Sequence, residues 1–222
     1  MDSALWSILF VGAYLMGSIP FALLLGWCKG VDLRQHGSKN VGATNCGRIL
    51  GRRYGVLCFM LDFLKGFAPV FATGWGAGLL SHEGIEAREA GLWLAVAAGP
   101  VLGHIFPIWL KFKGGKGVAT GFGVVLAVWP FMTLPALAAL ATWGLMAALL
   151  RYSSVASVIA SVSMLPYFVL LAKFRGWPFE SIWPFVIFLI GVVSLIVVRH
   201  KSNFQRLRAG TESKLGSRDP SL

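Results

Sequence analysis

Three short segments of this 222-residue chain gather the residue types that bind anions. The first reads Gly37-Ser38-Lys39-Asn40-Val41-Gly42-Ala43-Thr44-Asn45-Cys46-Gly47-Arg48. Gly and Asn tolerate positive φ, so successive backbone N–H groups can converge on one anion, with side-chain donors from Ser38, Thr44 and Asn45. Arg48 adds a bidentate fork that matches phosphate. The second reads Lys111-Phe112-Lys113-Gly114-Gly115-Lys116-Gly117-Val118-Ala119-Thr120 and opens an apolar stretch. Glycines running into a helix start expose free N–H groups and the positive end of the dipole, with Lys116 as a point charge. The third places His200 and Asn203 on one helical face with Arg206 and Leu207 a turn on, a pairing suited to hydrogen bonding a substrate. Each segment also has a plainer reading: a flexible connector, lysines snorkelling to headgroups, and a structural pair.

Other chemistry is absent from the pattern. The second segment lacks the G-x-x-x-x-G-K-[ST] spacing, a preceding strand and a magnesium partner, so nucleotide hydrolysis is excluded. Cys28, Cys46 and Cys58 have neither Cys-x-x-Cys nor Cys/His metal spacing and read as reduced and structural. No metal and no cofactor is expected, nor a nucleic-acid partner. Asp62 and Lys65, spaced i, i+3 in an apolar segment, read as a neutralising ion pair. His104 with Pro107, and Arg151 with Ser153 and Ser154, sit near the same loops and are candidates for supporting them.

The elements that must position these loops are membrane helices. The chain is 56% hydrophobic and 13% charged, with mean hydropathy +0.71, which selects a membrane protein over a soluble domain. A crossing needs roughly 20 apolar residues. Seven spans are predicted, at about 4–27, 54–80, 90–110, 118–132, 133–150, 153–172 and 181–199. The fourth is short, and Trp129-Pro130 near its end reads as an interfacial turn, so the fourth and fifth could instead form one re-entrant pair. The start of the chain lacks the basic region of a secretory signal, so the first span is expected to remain.

With seven spans and the N-terminus outside, sixteen of the twenty Lys and Arg residues fall on the inner side, against only Asp32, Glu212 and Asp219. Glu83, Glu86, Glu89 and Glu180 fall outside. This asymmetry sets the C-terminus in the cytoplasm. Residues 1–214 read as a single all-α polytopic domain and 215–222 as a disordered tail.

Taken together the segments resemble one family, the bacterial acyl-phosphate:glycerol-3-phosphate acyltransferases, or PlsY family. The matching residues are Gly37-Ser38-x-Asn40-x-Gly42-Ala43-Thr44-Asn45-x-x-Arg48, Gly103-His104-x-Phe106-Pro107 with Phe112–Thr120, and His200-x-x-Asn203-x-x-Arg206-Leu207-x-x-Gly210-x-Glu212. Gly17-Ser18-Ile19-Pro20 and Leu61-Asp62-x-x-Lys65-Gly66 extend the resemblance over nearly the whole chain. Val41 stands where the family often has Pro, and Lys39 where it often has Gly.

The resemblance implies transfer of a fatty acyl group from acyl phosphate to the 1-hydroxyl of sn-glycerol 3-phosphate, giving lysophosphatidic acid and phosphate. The partners are then those two substrates and membrane lipids, in the bacterial inner membrane, with the site facing the cytoplasm. Ser38, Arg48, Lys116, His200 and Asn203 become catalytic residues. Gly37, Asn40, Gly42, Ala43, Thr44, Asn45, Gly114, Gly115, Gly117 and Ser154 become substrate-binding residues, and Glu212 holds the tail segment. The proton of the attacking hydroxyl goes either to His200 or, as we favour, to the donor's own phosphate. An organic-phosphate transporter is the alternative, disfavoured because no inverted repeat or matched pair of broken helices is visible.

Overall fold

Hydrocarbon offers no partner to backbone N–H and C=O groups, so apolar segments of this length close their hydrogen bonds within helices. The computed structural model describes residues 1–80 and 84–217, and it is built this way throughout. Helices α1 (Ser3–Gly17), α2 (Phe21–Trp27), α3 (Ala43–Leu50), α4 (Arg52–Gly76) and α5 (Ala87–Ile105) come first. Then follow α6 (Val118–Ala127), α7 (Thr133–Leu150), α8 (Ser153–Arg175), α9 (Phe179–Arg199) and α10 (Lys201–Arg208). No strand occurs among the described residues. Of the charged residues counted for topology, Glu83, Arg218 and Asp219 lie outside the described residues, as does most of the tail expected to be disordered. Leu215, the first residue of that tail, donates its N–H to Arg151 O at 2.6 Å.

Among the described residues, six segments are long and apolar enough to cross a membrane: Ser3–Trp27, Arg52–Gly76, Ala87–Leu110, Thr133–Leu150, Ser153–Arg175 and Phe179–Arg199. The fourth expected span, 118–132, is corrected to a ten-residue helix followed by a turn through Trp129-Pro130. Ten residues rise only about 15 Å, half of the roughly 30 Å of hydrocarbon. The helix can be short because it starts below the mouth of the bundle, beneath the 111–117 loop, and the turn after it packs Phe131 against Trp177 at the opposite end, rings 5.3 Å apart.

The first span is interrupted at Ser18-Ile19-Pro20, where Pro20 has no N–H to continue the ladder. The break leaves the Ile19 carbonyl free to accept from Lys65 Nζ at 2.8 Å. Lys65 is also paired with Asp62 at 2.8 Å, both side chains fully enclosed, as the i, i+3 spacing predicted. Tyr14 OH donates to Phe106 O at 2.8 Å, so the C-terminal turns of α1 lie at the same end as the end of α5.

Without a hydrophobic driving force inside lipid, helices associate through close packing of small residues. Gly66 on α4 faces the Thr120 backbone, and Gly123 on α6 faces the backbone of Phe63 and Phe67. A Cβ at Gly123 would overlap the Phe63 carbonyl. Gly123→Ala should therefore separate α4 from α6 and cost about 1–3 kcal/mol. Thermal unfolding in detergent should register this as a midpoint lower by roughly 2–12 °C, and an unchanged midpoint would contradict the packing.

Candidate functional site

The loops that carry the sequence motifs converge at one end of the bundle around a cavity of about 360 Å³. Its walls come from residues 37–48, the start of α6, the α7–α8 turn, α10 and the 211–215 segment. Of the expected residues, Gly37, Ser38, Asn40, Gly42, Ala43, Thr44, Asn45, Arg48, Lys116, Gly117, Ser154, His200 and Asn203 all line it.

Gly114 and Gly115 do not, and the expectation that their N–H groups face an anion is corrected. Gly114 N–H donates to Ile105 O at 3.1 Å and Gly115 N–H to His104 O at 3.0 Å, while a Cβ at Gly115 would fall on the His104 ring. Their own carbonyls are taken by Arg199, with Nη2 on Gly114 O at 2.7 Å and Nε on Gly115 O at 3.1 Å. The two glycines thus form a scaffold strip between α5 and α9. What the strip presents to the cavity is Lys116, Gly117 at φ +83 and the first turn of α6. Val118 and Ala119 line the cavity, and their N–H groups have no acceptor within the helix.

The first loop is braced from within. Asn45 is buried, accepts from Ser38 N–H at 2.9 Å through Oδ1, and donates through Nδ2 to Leu33 O and His36 O, each at 3.2 Å. Its side chain therefore shapes the loop, a different duty from the substrate donor expected of it. Lys39 sits at φ +57, the left-handed region, which explains why glycine suits that position. Ser38 and the half-buried Arg48 also line the cavity.

Glu212 organises the third wall. Its Oε1 accepts from Asn203 Nδ2 at 2.6 Å and from Ser154 Oγ at 2.8 Å, and its Oε2 from Arg206 Nε at 2.8 Å. Burial opposes its ionisation, but the hydrogen bonds from Asn203, Ser154 and Arg206 prevail and hold its carboxyl below the usual range. Because the carboxylate must face the amide NH₂, the orientation of Asn203 is set, and its Oδ1 is left buried without a partner. The residue is only 5% exposed. His200 donates from Nδ1 to Ile196 O at 2.7 Å, since a carbonyl only accepts, and this leaves Nε2 as an acceptor. Burial, and then the charge of Lys116, bring the His200 pKa down to about 4.

Desolvation lowers the Lys116 ammonium to about 8; Glu212 opposes this shift, while Arg206, Arg48 and Arg199 add to it. No carboxylate among the described residues pairs with it directly. The site is thus rich in donors and cations, with two uncharged acceptors, Asn203 Oδ1 and His200 Nε2, on one wall. No group of three or more His, Cys, Asp or Glu residues is placed to hold a metal among the described residues.

Sequence reasoning missed Phe59, Trp143, Ser157, Thr211 and Ser213 as wall residues, and it counted Arg199 only as topological charge. No local pattern marks them, because each belongs to an apolar helix or a tail and reaches the site only through packing.

Six membrane-length segments among the described residues and a cationic pocket at one end of the bundle define an integral membrane protein acting on an anionic substrate. More narrowly, the chain belongs to the glycerol-3-phosphate acyltransferase family, whose model matches residues 7–210. A glycerol-3-phosphate acyltransferase of Trichlorobacter lovleyi is 42% identical, covering 91% of this chain and 94% of that protein. Two crystal structures of PlsY (YgiH), an integral membrane glycerol 3-phosphate acyltransferase, are similar. The glycerol 3-phosphate form gives a TM-score of 0.79 at 40% identity, covering 95% of this chain and 96% of that one. The lysophosphatidic acid form gives 0.77 at 39%, covering 96% of each.

Raising pH through about 8 removes the charge of Lys116, so inorganic phosphate should bind progressively more weakly above that pH. Titration calorimetry from pH 6.5 to 9.5 should show this inflection in the wild type and lose it in Lys116→Arg, whose guanidinium stays charged. Persistence in the variant would assign the transition to another group.

Proposed function

We propose that this protein transfers a fatty acyl group from acyl phosphate to the 1-hydroxyl of sn-glycerol 3-phosphate, releasing phosphate and lysophosphatidic acid. One observation carries the reading beyond family membership. The polar cavity continues into an apolar groove of about 330 Å³, the two sharing Phe59, Val118, Trp143 and Ser157. A site for two anions alone has no use for such a groove, whereas a donor with a phosphate head and a hydrocarbon tail needs both. The same groove weighs against a phosphate transporter, because its lining supplies no polar path onward.

In this reading the cationic wall, Ser38, Arg48, Lys116 and the first turn of α6, takes the phosphates. Asn203 Oδ1 and His200 Nε2 take the substrate groups that donate, and a glycerol phosphate dianion donates only through its hydroxyls. Holding the 1-hydroxyl beside the acyl carbonyl converts a bimolecular attack into a positioned one. The hydroxyl oxygen bonds to the carbonyl carbon, the carbon–oxygen bond to phosphate breaks, and the departing phosphate takes the electron pair and the hydroxyl proton. Charge developing on the carbonyl oxygen and on the phosphate is met by fixed donors and cations. A His200 brought down to about 4 is a weak base, which favours the phosphate as proton acceptor.

The topology that fits is seven crossings, with the segment 118–132 as a short helix plus turn, the N-terminus outside and the site at the cytoplasmic face of the bacterial inner membrane. The basic residues gathered at the site end support this orientation.

Purified protein given labelled glycerol 3-phosphate and palmitoyl phosphate should form lysophosphatidic acid, and Arg48→Ala should lose most of that activity. No product, together with phosphate flux in sealed vesicles, would overturn the reading. At saturating substrates His200→Ala should lose less than the roughly hundredfold expected when a general base is removed. A larger loss assigns the proton to histidine.

A further inference from the structure

The apolar groove has a length, and that length is set three times over. Along α6 its lining runs from Val118 to Val125, along α8 from Ser157 to Met164, and along α9 from Ile196 to Leu189. Each stretch advances seven residues, a rise of about 10 Å. Small residues hollow it out: Gly121, Ala139 and Ala160 line the middle, and a Cβ at Gly121 would still leave Ile196 and Val192 at 3.7 and 3.9 Å.

One turn beyond Met164 and Leu189 the groove is stopped. Phe168 and Phe185 are fully buried there with rings 5.6 Å apart, and Phe131 and Trp177 complete a packed aromatic floor. Interiors of this kind do not yield to an extra methylene without strain. The side remains open: Phe122 and Leu140 both line the groove, and Leu140 is 42% exposed toward the space a bilayer would fill.

We propose that the groove reads the first eight or so carbons of the acyl chain and leaves the rest in lipid. An extended chain advances about 1.25 Å per carbon for a C–C bond of roughly 1.5 Å, so about 10 Å accommodates about eight carbons. Where the aromatic floor stops it, the chain leaves through the open side of the groove into lipid. The consequence is a selectivity that depends on position along the chain. Straight saturated chains of ordinary membrane length differ little from one another, because the carbons that distinguish them lie in hydrocarbon whether bound or free. Bulk near the carboxyl end meets walls that cannot retreat.

This inference rests on the acyltransferase reading, and one series of donors separates the two. Hexadecanoyl phosphate, 5,5-dimethylhexadecanoyl phosphate and 13,13-dimethylhexadecanoyl phosphate are compared as donors to saturating glycerol 3-phosphate in one detergent, and kcat/KM is measured by lysophosphatidic acid formed. The 5,5-dimethyl donor should fall about tenfold or more, the cost of overpacking a rigid wall. The 13,13-dimethyl donor, equal in mass and apolar area, should stay within about twofold of the unbranched chain. Equal penalties at both positions, or none at either, would overturn the groove assignment while leaving the acyltransferase intact. Absence of product from the unbranched donor would instead overturn the acyltransferase itself.

Discussion

A lysine ammonium enclosed in a helix bundle must be answered on every side, and Lys65 is answered by three groups. Asp62 on its own helix neutralises it, the Ile19 carbonyl in the broken first span accepts from it, and the ring of Phe21 lies under it at 5.6 Å. Asp62 also faces His104 Nδ1 at 3.6 Å, and that nitrogen lies 3.1 Å from Thr120 Oγ1 on α6. One charge therefore registers the first span, α4, the end of α5 and the start of α6 against one another. Such a pair is weak evidence of stability, since desolvation offsets much of its attraction, but an arrangement that strands one member is strongly disfavoured. Its value here is geometric, because Lys116, Gly117 and the first turn of α6, which the glycine strip carries, are the floor of the anion pocket.

Above that floor the site divides its labour by hydrogen-bond polarity. Cations and donors come from the 37–48 loop, Lys116 and the α6 N-terminus. The unpaired acceptors sit at α10 and the residue before it, each side chain held through its other end: Asn203 by Glu212 and His200 by the Ile196 carbonyl. Arg199 illustrates the same economy from below. Its guanidinium holds two glycine carbonyls, so its charge contributes to the field at the pocket while its donors keep the backbone in place.

Much of this was legible in the chain. The apolar segments and the crowding of lysines and arginines at alternate connections follow from what a bilayer tolerates, which is a local requirement on each stretch of about twenty residues. Ser38, Arg48, Lys116, His200 and Asn203 were singled out because their types and neighbours suit phosphate chemistry, and all five reach the cavity. The length of the fourth span was misjudged because apolar composition does not reveal how deep a helix begins. Gly114 and Gly115 were misassigned because a glycine-rich loop looks alike whether its N–H groups face a ligand or a neighbouring backbone.

What the sequence determined by itself is therefore the solvent, the sidedness of charge and the chemical kind of the substrate head. Each depends on residue types over short windows. The tertiary structure alone decided which polar groups are consumed internally, as with Asn45 and Arg199, and which are left over, as with Asn203 Oδ1. It alone assembled the groove, whose lining comes from five helices spread from residue 59 to residue 196. A cavity is the space that packed neighbours fail to fill, and no single segment carries its outline.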